Sequence, residues 1–158
     1  MNIIETVVTN EIVFSVINKS DERYPVGRDA LDKCWLWVES GAVTGDELYE
    51  LIDNADYTGI SEYMEEEENL NIALMWSLLV DTVAYTAWAA YKREEVKYLP
   101  QSLEGFAADS ITIILNSAVE NDLILIEEAE QMKLALTVTN FTDTDKVDRQ
   151  DFLKLIFS

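Results

Sequence analysis

NIALMWSLLVDTVAYTAWAAY, residues Asn71 to Tyr91, is the stretch whose reading decides the fold: twenty-one residues without Gly or Pro and with one charge, Asp81. Such a run is long and apolar enough to cross a bilayer as a helix. Its surroundings point elsewhere. Asp81 lies near the middle, where a carboxylate is costly in lipid. Glu65, Glu66, Glu67 and Glu68 precede the run and Lys92 and Arg93 follow it, within a chain of ordinary polarity. A helix apolar on every side is then read as the buried centre of a soluble domain. It is expected to extend from about Glu68 to Glu95, with Pro100 closing it off, and to gather the other elements around itself.

Those other elements read as helices too. In the first segment Ile3, Ile4, Val7, Val8, Ile12, Phe14, Val16 and Ile17 largely follow helical spacing, although so many β-branched residues leave a strand open there. Lys19 to Val26, with Ser20, Asp21 and Pro25, has loop composition. Gly27 to Glu39 resumes helical spacing through Ala30, Leu31, Cys34, Trp35 and Val38, and Gly41 ends it. Thr44 followed by Glu47 has the form of a capping box opening a short helix to about Asn54. Ala55 to Glu62 reads as a loop. Beyond a turn at Gly105, helices are expected over Ala107 to Glu120 (Ile111, Ile114, Leu115 and Ala118 on one face) and Ile124 to Val138, with Asn121 and Asp122 breaking them apart. After Thr139 to Thr144, a last amphipathic helix carries Val147, Phe152, Leu155 and Ile156. The expected fold is all-α: a single compact bundle of about seven helices, one domain over residues 1–158, with short connections making neighbours mostly antiparallel.

Composition narrows the classes of function. The 158 residues are 49% hydrophobic, enough for a sizeable core, and the four Trp, seven Tyr and five Phe argue against disorder. Acidic side chains number 31 against 11 basic, a formal charge of −20. Such a surface repels phosphate backbones and anionic headgroups, so neither direct nucleic-acid binding nor membrane association is expected. It attracts a basic protein and speeds the encounter, although acidity by itself is first a statement about solubility. Cys34 is the only cysteine, so no intramolecular disulfide can form and a reducing cytoplasm fits. The opening MNIIETVVTNEIVFSVI has no basic residues ahead of its apolar positions and is interrupted by Glu5 and Glu11, a poor export signal.

The inventory also limits chemistry. With no histidine and one cysteine, no Ser-His-Asp or Cys-His arrangement and no His or thiolate metal cage can be built. There is no phosphate-cradling glycine loop and no GxSxG turn. Asp143-Thr-Asp145 begins like a calcium loop, but Val147 and Asp148 fall where that loop needs an oxygen ligand and a turning glycine. No catalytic residue, cofactor or metal is therefore assigned. Asp81 needs a partner if buried, and Arg28 or Arg93 can supply a structural ion pair. Trp35 and Trp37 are two apart and point to different helix faces, which leaves one of them free to anchor a partner.

Several segments then resemble the sixth Imm family of immunity proteins from bacterial polymorphic-toxin systems. The carrying pieces are Arg28-Asp29-Ala30-Leu31 with Cys34-Trp35-x-Trp37, Thr44-Gly45-Asp46-Glu47-Leu48-Tyr49, Asp81-x-x-Ala84-Tyr85-x-Ala87-Trp88, and Tyr98-Leu99-Pro100-Gln101-x-Leu103-Glu104, spread over roughly residues 28 to 135. The N-terminal segment and the tail beyond Thr137 fit the pattern less well. The resemblance implies a helical cytoplasmic antidote, not an enzyme, that binds and neutralises one cognate toxin; it transfers no contact residues. Toxin nucleases carry basic clefts, so an acidic helical surface can act as a charge-complementary plug. The expected partner-binding residues are Asp53, Asp56, Tyr57, Glu62, Glu65, Glu66 and Glu67, with Tyr57 as aromatic anchor. Two other readings stay open: a scaffold or regulatory protein whose partner is not a toxin, and a metal-dependent hydrolase using Asp81 with a facing glutamate. Monomer and homodimer are both compatible with the sequence.

Overall fold

The computed structural model describes residues 3–104, 116–139 and 148–157. Helix α1 covers Ile3–Val13 and runs into a short 3₁₀ turn, Phe14–Val16. Helices α2 (Tyr24–Ser40), α3 (Gly45–Ile52) and α4 (Ile60–Glu66) lead to α5, Leu70–Arg93. A second 3₁₀ turn, Gln101–Leu103, follows; residues 116–120 are helical (α6), and α7 (Ile126–Thr139) and α8 (Arg149–Phe157) complete the order. No strand occurs among the described residues. The fold is all-α, and α5 is its centre: α1, α2, α3 and α4 all pack against it, while α7 packs on α1 and α8 on α7.

The central helix is long and apolar enough to cross a membrane, yet Met75, Trp76, Leu78, Leu79, Val83 and Tyr85 are turned into the protein. Its ends are set by chemistry local to the sequence. Asn69 accepts from the backbone N–H of Asn71 and Ile72, and Lys92 and Arg93 occupy the last turn, where cations oppose the helix dipole. These signals place the helix two residues inside each expected end.

Helix α1 settles the strand alternative, and burial explains why its pattern was ambiguous. Every residue from Ile3 to Asn10 is buried, so there is no solvent side for a period to mark. Three of its polar side chains turn back onto its own backbone: Thr6 Oγ1 donates to Ile3 O (2.8 Å), Thr9 Oγ1 to Glu5 O (2.7 Å) and Asn10 Nδ2 to Thr6 O (3.0 Å). Asn10 Nδ2 also reaches Thr82 Oγ1 on α5, tying the two buried helices through a polar contact.

Helix α2 begins at Tyr24 rather than Gly27, with Pro25 in its first turn, where the missing N–H is no loss. It ends as expected at Gly41, in the left-handed region (φ 69°), whose N–H donates to Trp37 O at 2.8 Å. The capping box is formed: Thr44 Oγ1 accepts from Glu47 N (3.1 Å) and Glu47 Oε2 from Thr44 N (2.9 Å). Helix α4 corrects the expected loop, and it divides the glutamate run: Glu65 and Glu66 end α4, Glu67 is extended, and α5 starts beyond Asn69. Gly59 opens α4 because its α-carbon lies against the backbone of Ile52, where a β-carbon would sit 2.0 Å from the carbonyl oxygen.

In the C-terminal part the break at Asn121 and Asp122 is present, with Asp122 at φ 57°, and α7 starts two residues later than expected. The expected faces through Ile111, Ile114 and Leu115, together with Asp143, Asp145 and Val147, lie outside the described residues. Asp148 caps α8 by accepting from Asp151 N at 2.9 Å.

Candidate partner-binding site

From Cys34 to Tyr91 the chain contains no lysine or arginine. Apart from Glu39 on α2 and Asp81 on α5, the acidic residues of that interval fall on α3, the α3–α4 connection, α4 and the two residues after it. Asp46, Glu47 and Glu50 are exposed on α3, Asp53 and Asp56 in the connection, and Glu65, Glu66 and Glu68 at the end of α4 and just beyond. Glu62 is half-buried. Tyr57 stands out from the connection with 77% of its surface exposed. It is held there by a turn that puts its backbone at φ 55°, an uncommon conformation for a non-glycine residue.

That turn is built by Asn54. Its Oδ1 accepts from the backbone N–H of Asp56 (2.9 Å) and Thr58 (3.2 Å), while its Nδ2 donates to Glu50 O (3.1 Å) and Thr58 Oγ1 (3.0 Å). Ser61 Oγ closes the corner on Ile52 O at 2.7 Å. Beside the corner lies an open groove of about 490 Å³, lined by Lys33, Glu47, Glu50, Leu51, Asp56 and Thr58 among others. The structure thus brings Asp53, Asp56, Tyr57, Glu65 and Glu66 into the open on one ordered stretch, and adds Asp46, Glu47 and Glu50, which the sequence reading did not single out.

Glu67 is different. Arg23 donates from Nη1 to its Oε2 and grips Asp21 through Nε and Nη2, and Asn69 N donates to its Oε1 at 3.0 Å. The backbone bond from Asn69, then the Arg23 bond, hold the Glu67 carboxyl below its ordinary range. The same guanidinium lies over the Trp76 ring. Glu67 is occupied inside the protein and is not part of the free acidic face.

Neither Arg28 nor Arg93 pairs with Asp81. Arg28 donates to both carboxylate oxygens of Glu11 (2.6 and 3.0 Å) and to Asp32 (3.0 Å), and the Arg93 guanidinium covers Trp37, 4.3 Å from the ring centroid. Asp81 is half-buried on α5, and desolvation pushes its pKa up to about 6. A raised carboxyl binds its proton more tightly folded than unfolded, so stability falls as pH rises from about 4 through 6. Asp81→Asn is therefore expected to stabilise the protein by roughly 1–2 kcal/mol at pH 7.5, the advantage shrinking towards zero by about pH 4. Urea titrations at the two pH values check it; equal effects at both would contradict the burial of this carboxyl.

Trp35 and Trp37 both prove buried, at 0% and 4% exposure, so neither is the exposed anchor that their spacing left open. Two different covers account for it: Arg93 at the end of α5 lies on Trp37, and a charged cluster joining α1, α2 and α8 lies on Trp35. In that cluster Glu11 receives Arg28, Arg149 and Trp35 Nε1 (2.8 Å), and Asp32 receives both arginines. Burial works to raise the Glu11 carboxyl, but the bond and charge of Arg28 and the charge of Arg149 outweigh it and hold it below the ordinary range. Cys34, fully buried, has its thiol pushed up to about 12 by desolvation and is unreactive at neutral pH.

Fold and surface together define an all-helical acidic domain in which, among the described residues, no group of three or more carboxylate or thiol side chains converges to hold a metal ion. The model of the family "Immunity protein Imm6" matches residues 3–121, and the chain belongs to that family. It is an immunity protein, and the partner of such a protein is in general a toxin. Searches of curated proteins and of solved structures gave no match. The matched span corrects the range expected from the sequence pieces at both ends: α1 falls within it, and α7 and α8 lie beyond it.

Proposed function

We propose that this immunity protein neutralises a cognate polymorphic toxin with a basic, nucleic-acid-binding cleft by laying its α3–α4 corner into that cleft. The supporting observation is the exposed acidic face from Asp46 to Glu68, uninterrupted by any basic residue of its own segment and carried on a turn fixed by Asn54. Opposite charge accelerates the encounter, and a preordered corner loses little entropy on docking. Tyr57 gives the face an aromatic group that can bury a large area with few rotatable bonds. Inhibition is by occupancy, without a cofactor and without turnover, in the cytoplasm where toxin and nucleic acid meet.

The test is to purify the toxin domain encoded beside this gene and measure both its nuclease activity and its association with the immunity protein. Activity is expected to fall in proportion to the immunity protein added and to reach zero at equimolar amounts. Association is expected to slow at least about tenfold between 50 and 300 mM salt. Protection by a small fraction of an equivalent would indicate turnover and overturn occupancy; a salt-independent rate would overturn the charged face; and a toxin without nuclease activity would overturn the substrate class.

A further inference from the structure

The cluster over Trp35 has the make-up of a receptor for one kind of side chain. Arg149 Nη1 meets Asp32 Oδ1 at 2.9 Å, its Nη2 meets Glu11 Oε1, and its Cζ lies over the Trp35 ring, 5.3 Å from the centroid. Two carboxylates on the edge of the group and an indole on its face match a planar guanidinium. They suit an ammonium, a compact point charge without a face to stack, far less well. Trp35 is fully buried and its Nε1 donates to the same Glu11 oxygen, so the ring cannot turn away.

The site is also preformed. Arg28 holds Glu11 through two bonds and Asp32 through another, so both carboxylates keep their places without Arg149. The charge count then leaves one negative charge unanswered, because two carboxylates face Arg28 alone. With Arg149 seated, the Glu11 side chain is only 13% exposed, so the carboxylate and its two guanidinium partners are poorly screened by solvent. The occupant comes from far away in the chain: Arg149 opens α8, beyond the family-matched residues 3–121; apart from its guanidinium, α8 is held by packing on α7 and by the Arg149 backbone N–H, which donates to Glu39 Oε2 on α2 at 3.4 Å.

We propose that Glu11, Asp32 and Trp35 form an arginine-binding site which the chain fills with its own Arg149, making α8 a strap that an arginine side chain from outside the chain can displace. The site is distinct from the acidic corner and does not depend on it.

The experiment uses the full-length Arg149→Ala protein, checked for helical content and a cooperative melt, and titrates it with N-acetyl-arginine amide and, separately, N-acetyl-lysine amide while following the indole N–H signal of Trp35. The arginine compound is expected to bind Arg149→Ala at least tenfold more tightly than it binds the wild type, and at least tenfold more tightly than the lysine compound. Adding Glu11→Gln to that variant is expected to abolish the difference. Amide exchange in residues 149–157 is expected to quicken in Arg149→Ala and, at saturating arginine compound, in the wild type. A folded Arg149→Ala that binds arginine no better than the wild type overturns the site, and unchanged exchange in α8 overturns the strap. If Arg149→Ala does not fold, Arg149→Lys serves in its place: it keeps the charge and loses the fork, and α8 exchanging as slowly as in the wild type would overturn the guanidinium requirement.

Discussion

Gly59→Ala is expected to lower stability by about 3 kcal/mol, a fall of roughly 6–12 °C in melting temperature for a chain of this size. The backbone at Gly59 (φ −74°, ψ 159°) suits alanine, so the effect is not conformational strain. It is a collision: the new methyl would lie 2.0 Å from Ile52 O, 2.4 Å from Ile52 C and 2.8 Å from Asp53 N. These are backbone atoms at the end of α3, fixed by the Ile52 to Ser61 bond, and they move only if α3 and α4 separate. Gly41 makes the comparison. Its φ of 69° disfavours alanine by about 1 kcal/mol, but its nearest neighbour is only the tip of Arg93 at 3.0 Å, which can swing aside. Thermal melts of the two variants should therefore separate clearly. A Gly59→Ala melt within 2 °C of wild type would mean that the α3–α4 corner is not packed this closely, and the acidic face built on it would lose its rigidity.

The same corner shows what the sequence could convey. The central helix was legible because nothing between Asn71 and Tyr91 interrupts it, and α3 because Thr44 and Glu47 advertise a cap that is formed. Helix α4 was not: it is seven residues long, opens on a glycine with no side-chain cap, and ends within a glutamate run that reads equally well as the start of α5. Its existence depends on Gly59 fitting against α3, a tertiary fact. The exposed acids were partly legible. Asp46, Glu47 and Glu50 were overlooked although the absence of Lys and Arg from Cys34 to Tyr91 would have drawn them in with the others. Conversely, the withdrawal of Glu67 by Arg23 needs a contact across 44 positions, and the Trp35 cluster joins Glu11 to Arg149 across 138. No local pattern encodes such pairings. The spacing argument that sent Trp35 and Trp37 to different helix faces was correct as geometry, but α2 is covered by α1 and α5 on two sides, and arginines close what remains.

Reversing Asp56, Glu65 and Glu66 to lysine together is expected to slow association with the toxin by about 10- to 100-fold at low salt and to flatten the dependence of the rate on salt. All three side chains are exposed, and no basic group among the described residues is paired with them, so the change removes steering without opening an internal ion pair. Glu67 must be left alone: its reversal would break the Arg23 bridge beside Trp76 and confuse stability with binding. Net charge alone is controlled by reversing Glu120, Asp122 and Glu127, equally exposed on α6, the following turn and α7. Because screening confines charge effects to about 8–10 Å at moderate salt, the control is expected to slow association far less than the corner variant. Equal slowing by the two would relocate the effect to the protein's overall field, and an unchanged rate in the corner variant would remove α3 and α4 from the docking surface. The dissociation rate separates the remaining roles: a rim of charge alters it little, whereas Tyr57→Ala, if the ring is buried in the complex, should raise it about tenfold or more.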